Sequence, residues 1–266
     1  MPRQSDKAAR FRALHDGCFV IANAWDAGSA RMLAGLGFQA LATSSGAHAG
    51  TLGRRDGSVT RDEALAHARA IVEATDLPVS ADLEKCFADE AAAAAETIRL
   101  AAGVGLVGCS IEDATRDKVY DFDHAVERVA AAATVARAHD FVLTARAENF
   151  VRGRSDLEDT IKRLQAFEKA GADVLMAPGL PDLEAVRKVC ASLSKPFNFM
   201  AGIKGKSFSV AELKAAGVRR ISLATSLWRA AMTSLAEAAH EVKDKGTFGY
   251  IDRSLPTAEL SRFMRE

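Results

Sequence analysis

The chain carries no surplus of either charge: Lys and Arg number 35 and Asp and Glu number 35 among its 266 residues. That balance argues against nucleic acid or an anionic membrane as the principal partner. Cysteine is sparse and scattered, at 18, 86, 109 and 190. No pair has CxxC or metal-ligand spacing, so reduced thiols are expected and a zinc site is not. No apolar run reaches the roughly 20 residues a membrane helix needs. Residues 1–16 are polar and lack the apolar core of a secretory signal, so a cytoplasmic protein is expected. Stretches rich in Pro, Gly or Ser are missing as well, which leaves no place for a linker. A single domain over 1–266 is the expectation.

What the chain does contain is a repeated alternation. Strand-like runs begin near Phe19, Ala40, Val79, Leu106, Phe141, Asp173, Phe197 and Arg220. Between them lie segments with helical periodicity: Ser29–Leu36, Arg61–Ala74, Asp89–Ala102, Asp123–Ala138, Leu157–Ala170, Leu183–Leu193 and Val210–Ala216. A weak helical pattern over 5–16 suits a cap on the domain's bottom, and a long helix runs from Ser226 to about Lys245. Gly37, Gly103, Gly171 and Gly217 sit where left-handed helix C-caps belong. Eight strand–helix units point to an α/β fold, a TIM-type (β/α)8 barrel. The rival, an open doubly wound sheet, needs a glycine-rich turn after its first strand, and Asn23-Ala24-Trp25-Asp26-Ala27-Gly28 is not one. The tail from Gly246 holds Phe248, Tyr250, Leu255 and Phe263, enough apolar surface to pack on its own barrel or on a neighbouring subunit.

In such a barrel chemistry sits at the carboxyl ends of the strands. The third strand ends in Ala81-Asp82-Leu83-Glu84, and alternation puts Ser80, Asp82 and Glu84 on one side. The fourth ends in Glu112-Asp113. Carboxylates gathered from neighbouring strands suit a hard cation such as Mg²⁺, although each taken singly reads equally as a helix N-cap. The fifth strand ends in Arg146-Ala147-Glu148-Asn149, and an arginine there suits a substrate anion or a developing oxyanion; a structural salt bridge is its plain alternative. Thr43-Ser44-Ser45-Gly46 after the second strand has the small residues that close around a carboxylate, but also those of any tight turn. Asn198 on the seventh strand is placed to hydrogen-bond substrate. Residues 50–60, with Asp56, and 114–121, with Arg116 and Lys118, are candidate active-site loops. The sixth strand ends in Met176-Ala177-Pro178-Gly179 without a lysine, which weakens a Schiff-base reading.

Taken in order, Thr43-Ser44-Ser45-Gly46, Ala81-Asp82-Leu83-Glu84, Ser110-Ile111-Glu112-Asp113 and Thr144-Ala145-Arg146-Ala147-Glu148-Asn149 resemble the isocitrate lyase/phosphoenolpyruvate mutase superfamily over residues 10–245. The resemblance implies a Mg²⁺-dependent enzyme acting on a small 2-oxo or 2-hydroxy acid. It also implies a homo-oligomer, a dimer of dimers, in which the final helix and tail (226–266) pack on a partner subunit. By motif match Asp82 ligates the metal directly while Glu84, Glu112 and Asp56 hold its waters. Ser44, Ser45 and Gly46 cradle the substrate carboxylate, Trp25 walls the pocket, and Arg146 faces an enolate oxygen. Two departures stand out. Lyases of the superfamily carry a cysteine-containing segment after the fourth strand, whereas Ala114–Asp121 has neither Cys nor His, and the resemblance offers Lys118 as a stand-in gating-loop cation. Cys86-Phe87-Ala88 also replaces the usual Gly-Tyr-Gly run beside the metal loop. The expected activity is therefore carbon–carbon cleavage or decarboxylation through a pyruvate-like enolate, but not an isocitrate or methylisocitrate lyase. Phosphonopyruvate-type P–C chemistry comes next, and a barrel that binds without turning over is the rival of a different class.

Overall fold

The computed structural model describes residues 2–264. Eight parallel strands close into one barrel in sequence order: β1 (Phe19–Ala24), β2 (Leu41–Thr43), β3 (Val79–Asp82), β4 (Gly108–Glu112), β5 (Val142–Arg146), β6 (Val174–Met176), β7 (Phe197–Met200) and β8 (Arg220–Ser222). The expected (β/α)8 barrel is the observed one. Registers such as Ser110↔Thr144 and Glu112↔Arg146 set like-numbered steps of neighbouring strands side by side. Ala81, Cys109, Ile111 and Ala145 therefore face the helices, while Ser80, Asp82, Ser110, Glu112 and Arg146 face the barrel axis.

The helices are α1 (Gln4–Leu14), α2 (Ala27–Gly35), α3 (Ser45–Thr51), α4 (Arg61–Ala74), α5 (Ala91–Gly103), α6 (Phe122–Ala138), α7 (Leu157–Ala170), α8 (Leu183–Ala191), α9 (Val210–Ala215), α10 (Ser226–His240) and α11 (Thr257–Ser261). Their starts are chemically marked. Asp26 with Ser29, Thr60 with Glu63 and Ser209 with Glu212 form capping boxes. Each satisfies backbone donors that the first turn leaves unpaired. Ile98, Leu164, Phe167, Val186 and Val189 seat the outer helices on the barrel, each contributing roughly 1.5–3 kcal/mol of apolar burial. At the other end α1 closes the bottom, with Phe11 fully buried among Phe19, Ile21, Val142 and Val174.

Three sequence expectations need correction. Gly37, Gly171 and Gly217 have the left-handed backbone of a C-cap (φ 93°, 108° and 99°), but α5 runs through Gly103 and the left-handed residue is Gly105. The small residues after β2, readable as a tight turn, wind straight on into α3, with Ser44 as its N-cap. The strand holding Asp82 stops there, and Glu84 adopts φ 52° in a turn, so it does not continue the inward face of β3.

The long helix expected from Ser226 is present as α10, followed by a wider turn over Glu241–Lys245. Among its described residues none is buried, and Met232 and Leu235 are 40% and 58% exposed. Trp228 nevertheless packs on Gly50 of α3, and at the end of the tail Phe263 packs over Gly35 of α2. Among the described residues no helix is long and apolar enough to cross a membrane.

Candidate active site

The carboxyl ends of the strands surround a cavity of about 330 Å³ lined by residues of all eight. Its charged wall is assembled by β3, β4 and β5. Arg146, at the last position of β5, donates Nη1 to Asp82 Oδ1 at 3.3 Å and Nε to Glu148 Oε1 at 2.8 Å, and its Nη2 forms an ion pair with Glu112 Oε1 at 3.1 Å. Only 11% of its side chain is exposed, so little water screens these pairs. Burial opposes the guanidinium charge, but Glu112, Glu148 and Asp82 outweigh it and push the Arg146 pKa up. Burial pushes the Glu112 carboxyl well above the usual range, helped by repulsion from Glu148 and Asp82 and opposed by Arg146.

Asp82 is held from three sides. Its Oδ2 accepts from the Ser45 hydroxyl at 2.8 Å and the Ser45 N–H at 3.2 Å, and its Oδ1 accepts from Ser110 Oγ at 3.3 Å. Its backbone N–H donates to Thr43 Oγ1 at 3.0 Å, tying β3 to β2. Gly46 lies beside Asp56 and Thr225, and a Cβ there would come within 3.1 Å of the Asp56 carboxyl. The small residues after β2 therefore let the Asp56 loop close on the cavity.

Glu84 lies beyond this lining. It borders a smaller recess with His48, His67 and Phe87, still adjacent to Asp82. Burial, then Asp82 and Asp56, raise its pKa to about 7, and its Oε1 is buried without a hydrogen-bond partner. The stretch from Glu84 to Phe87 is strained, because Glu84, Cys86 and Phe87 take φ of 52°, 59° and 56° without being glycine. His48 and His67 stack at 3.8 Å between centroids, and burial keeps the His67 pKa near 4.

The structure thus gathers Ser44, Ser45, Gly46, Asp56, Asp82, Glu112, Arg146 and Asn198 on one cavity. It does not bring Trp25 or Lys118 there. Trp25 follows β1 directly, where the Asp26 cap starts α2, and its carbonyl receives a hydrogen bond from His67. Lys118 is exposed in a loop pinned by an antiparallel bridge between Ala114 and Val119, with Tyr120 buried and bonded to Asp89. Asp113 points the opposite way from Glu112, accepting from the Glu148 N–H and from Arg163. Two cavity arginines escaped the sequence reading. Arg152, on the 3₁₀ turn after β5, approaches Glu112 at 3.6 Å and Glu148 at 3.9 Å. Its spacing of four from Glu148 was the available signal. Arg220 reaches in from β8.

Among the described residues no three His, Cys, Asp or Glu side chains are gathered into a ready-made metal cage. The donors present are all oxygens. They suit an ion held by few protein ligands and several waters, which is the habit of Mg²⁺ and not of zinc.

A closed parallel barrel with its charged groups collected at the strand ends is an enzyme scaffold of the TIM type. The chain belongs to the phosphoenolpyruvate phosphomutase family, whose model matches residues 11–243, within the phosphoenolpyruvate mutase/isocitrate lyase superfamily. That makes it a member of a family of carbon–carbon lyases and phosphomutases. A 2-methylisocitrate lyase of Escherichia coli is 30% identical over 79% of this chain and 75% of its own. A Burkholderia cenocepacia protein assigned provisionally as a lyase/mutase is 47% identical, with TM-score 0.95 over 98% of this chain and 96% of its own. An oxaloacetate acetylhydrolase solved with oxalate is 25% identical, with TM-score 0.88 over 98% and 95%.

Proposed function

We propose that this chain is a divalent-metal-dependent lyase that breaks a carbon–carbon bond, or decarboxylates, beside the carbonyl of a small 2-oxo or 2-hydroxy acid. The observation that carries the reading is the convergence of Arg146, Asp82 and Glu112 on the cavity that Ser44–Gly46 also line. Breaking such a bond leaves electrons on a pyruvate-like enolate, whose oxygen needs fixed positive charge. Arg146 is already oriented by three carboxylates, so it meets that oxygen without reorganising.

Magnesium is the ion that the oxygen donors fit, and when bound it would supply Lewis-acid stabilisation of the developing negative charge. Asp82 would ligate it, with Glu112, Asp56 and Glu84 toward its waters. The partnerless Glu84 Oε1, in a recess that also borders Asp82, is an oxygen donor that such an ion would use, which supports this donor set. Ser44 and Gly46 are assigned to the substrate carboxylate, while Ser45 serves Asp82. Trp25 and Lys118 have no part in this machinery. The left-handed turn at Glu84–Phe87 persists without glycine, which favours a working site over an inert barrel.

The sequence has no cysteine or histidine between Ala114 and Asp121 to act as the lyase acid–base, so the substrate differs from isocitrate and methylisocitrate. Phosphonopyruvate is the second candidate. Incubation with Mg²⁺ and a panel of 2-oxo and 2-hydroxy diacids and phosphonopyruvate should release pyruvate from at least one. Release from none would leave a binding barrel. The single domain is completed by a second copy in this reading. The apolar, exposed α10 and the tail pack on a partner, and light scattering should find no monomer at micromolar concentration.

A further inference from the structure

Below the charged wall the cavity holds a cation that the mechanism above does not use. Arg220 starts β8, is only 5% exposed, and sends its side chain across the barrel to β5. There Nη2 donates to Thr144 Oγ1 at 2.7 Å, while Nε donates to Asn198 Oδ1 at 2.9 Å. Both partners are neutral. The third nitrogen, Nη1, is buried with no partner, and among the described residues no carboxylate forms a salt bridge with Arg220. Burial alone lowers its pKa, to about 9, and its charge in turn helps keep nearby His15 neutral.

A buried guanidinium without a counter-ion is costly, and chains normally pair it. Phe11 and the apolar cluster close the barrel bottom beneath it, and the Phe11 ring, 5.9 Å from the guanidinium carbon, gives the charge a cation–π contact at the outer limit of range in place of a counter-ion. The surroundings are instead those of an anion site. Asn198, Ser222 and Thr144, which surround its head, are neutral hydrogen-bonding groups that line or border the cavity, and none brings a negative charge. Thr144 lies two residues, about 7 Å of strand, before Arg146 on β5, so Arg220 is anchored one inward-facing layer below the enolate-facing arginine.

We propose that Arg220, positioned by Thr144 and Asn198, is a carboxylate-binding subsite on the barrel floor, which selects a substrate carrying a second acidic group in addition to the one held at the Ser44–Gly46 end. The substrate part of this proposal rests on the lyase reading above; the anion site does not.

The first test uses the full-length protein in EDTA, titrated calorimetrically with malonate. Wild type should bind, and Arg220→Met should weaken binding at least about tenfold. Thr144→Asp places a carboxylate where Thr144 Oγ1 now meets Nη2, so it supplies an internal counter-ion and should abolish malonate binding. It also controls for misfolding, because it should melt no lower than wild type. Absence of malonate binding to wild type, or undiminished binding to both variants, would overturn the subsite. The second test takes whichever diacid releases pyruvate: Arg220→Met should raise KM more than it lowers kcat. An unchanged KM would overturn the assignment to substrate. If no diacid turns over, the lyase reading fails, while the metal-free titration still decides the floor site.

Discussion

The two walls of the cavity solve the problem of buried charge in opposite ways. On the β3–β5 side, Asp82, Glu112 and Glu148 surround Arg146, and Arg152 stands outside them. On the β7–β8 side Asn198, Met200 and Ser222 are neutral, and Arg220 forms no salt bridge with an acid among the described residues. The first wall carries more carboxylate than its arginines match at close range, and the second carries an unmatched positive charge. A divalent cation on the first and an organic anion reaching the second would balance both. Neither imbalance is a packing requirement, since alternation on these strands accepts neutral residues equally well.

The largest way to break this comparison is Asp82→Asn, which keeps the shape of the acidic wall and removes its central charge. Pyruvate release should fall by about 10³-fold, and calorimetric Mg²⁺ binding should vanish. A wild-type rate would mean that the charged wall is not where the reaction occurs. Next comes Arg146→Met. It should lower the rate by about 10²-fold, and it should also cost about 3–5 kcal/mol of stability at pH 8, because three carboxylates are left facing one another. Urea melts with and without Mg²⁺ would sharpen the point, since the ion should recover part of the loss.

A smaller effect comes from behind the acidic wall. Burial holds the folded His67 pKa near 4, below its unfolded value of 6.5, so protonation favours the unfolded chain. The stability that a neutral His67 contributes is complete above pH 6.5 and is lost as pH falls toward 4, at roughly 1.4 kcal/mol per pH unit. Glu84 and Asp113, with pKa values raised to about 7 and about 6, act in reverse and add stability as pH falls through those values. The readout is therefore the difference between two proteins. His67→Gln keeps a donor for the Trp25 carbonyl and should lose less stability than wild type between pH 6.5 and 4 in parallel urea melts. Smallest of all is Lys118→Ala on the exposed loop, which should leave the rate of pyruvate release within about twofold. A loss of tenfold or more would return that loop to the active site.

Most of the charged wall was legible because the period of two in a strand is rigid. Asp82, Glu112 and Arg146 each close a strand, and their inward direction follows from counting. Glu84 shows where counting fails, and Trp25 where a motif match does. Both lie just past a strand's end, where a left-handed turn in one case and a capped helix start in the other redirect the chain. Arg220 escaped for another reason. It opens β8, at the end where chemistry is not looked for, and reaches the cavity only because its side chain crosses to β5.

By itself, the order of residues determined the eight alternating units, the closed barrel they demand and the acids that face its axis. Those properties are local periodicities, repeated along the chain and indifferent to distant partners. Tertiary structure alone decided that one arginine would be enclosed by three carboxylates and another left without any. Charge balance at a buried point depends on which strands stand opposite each other and how far each side chain reaches, and neither is written in any single stretch.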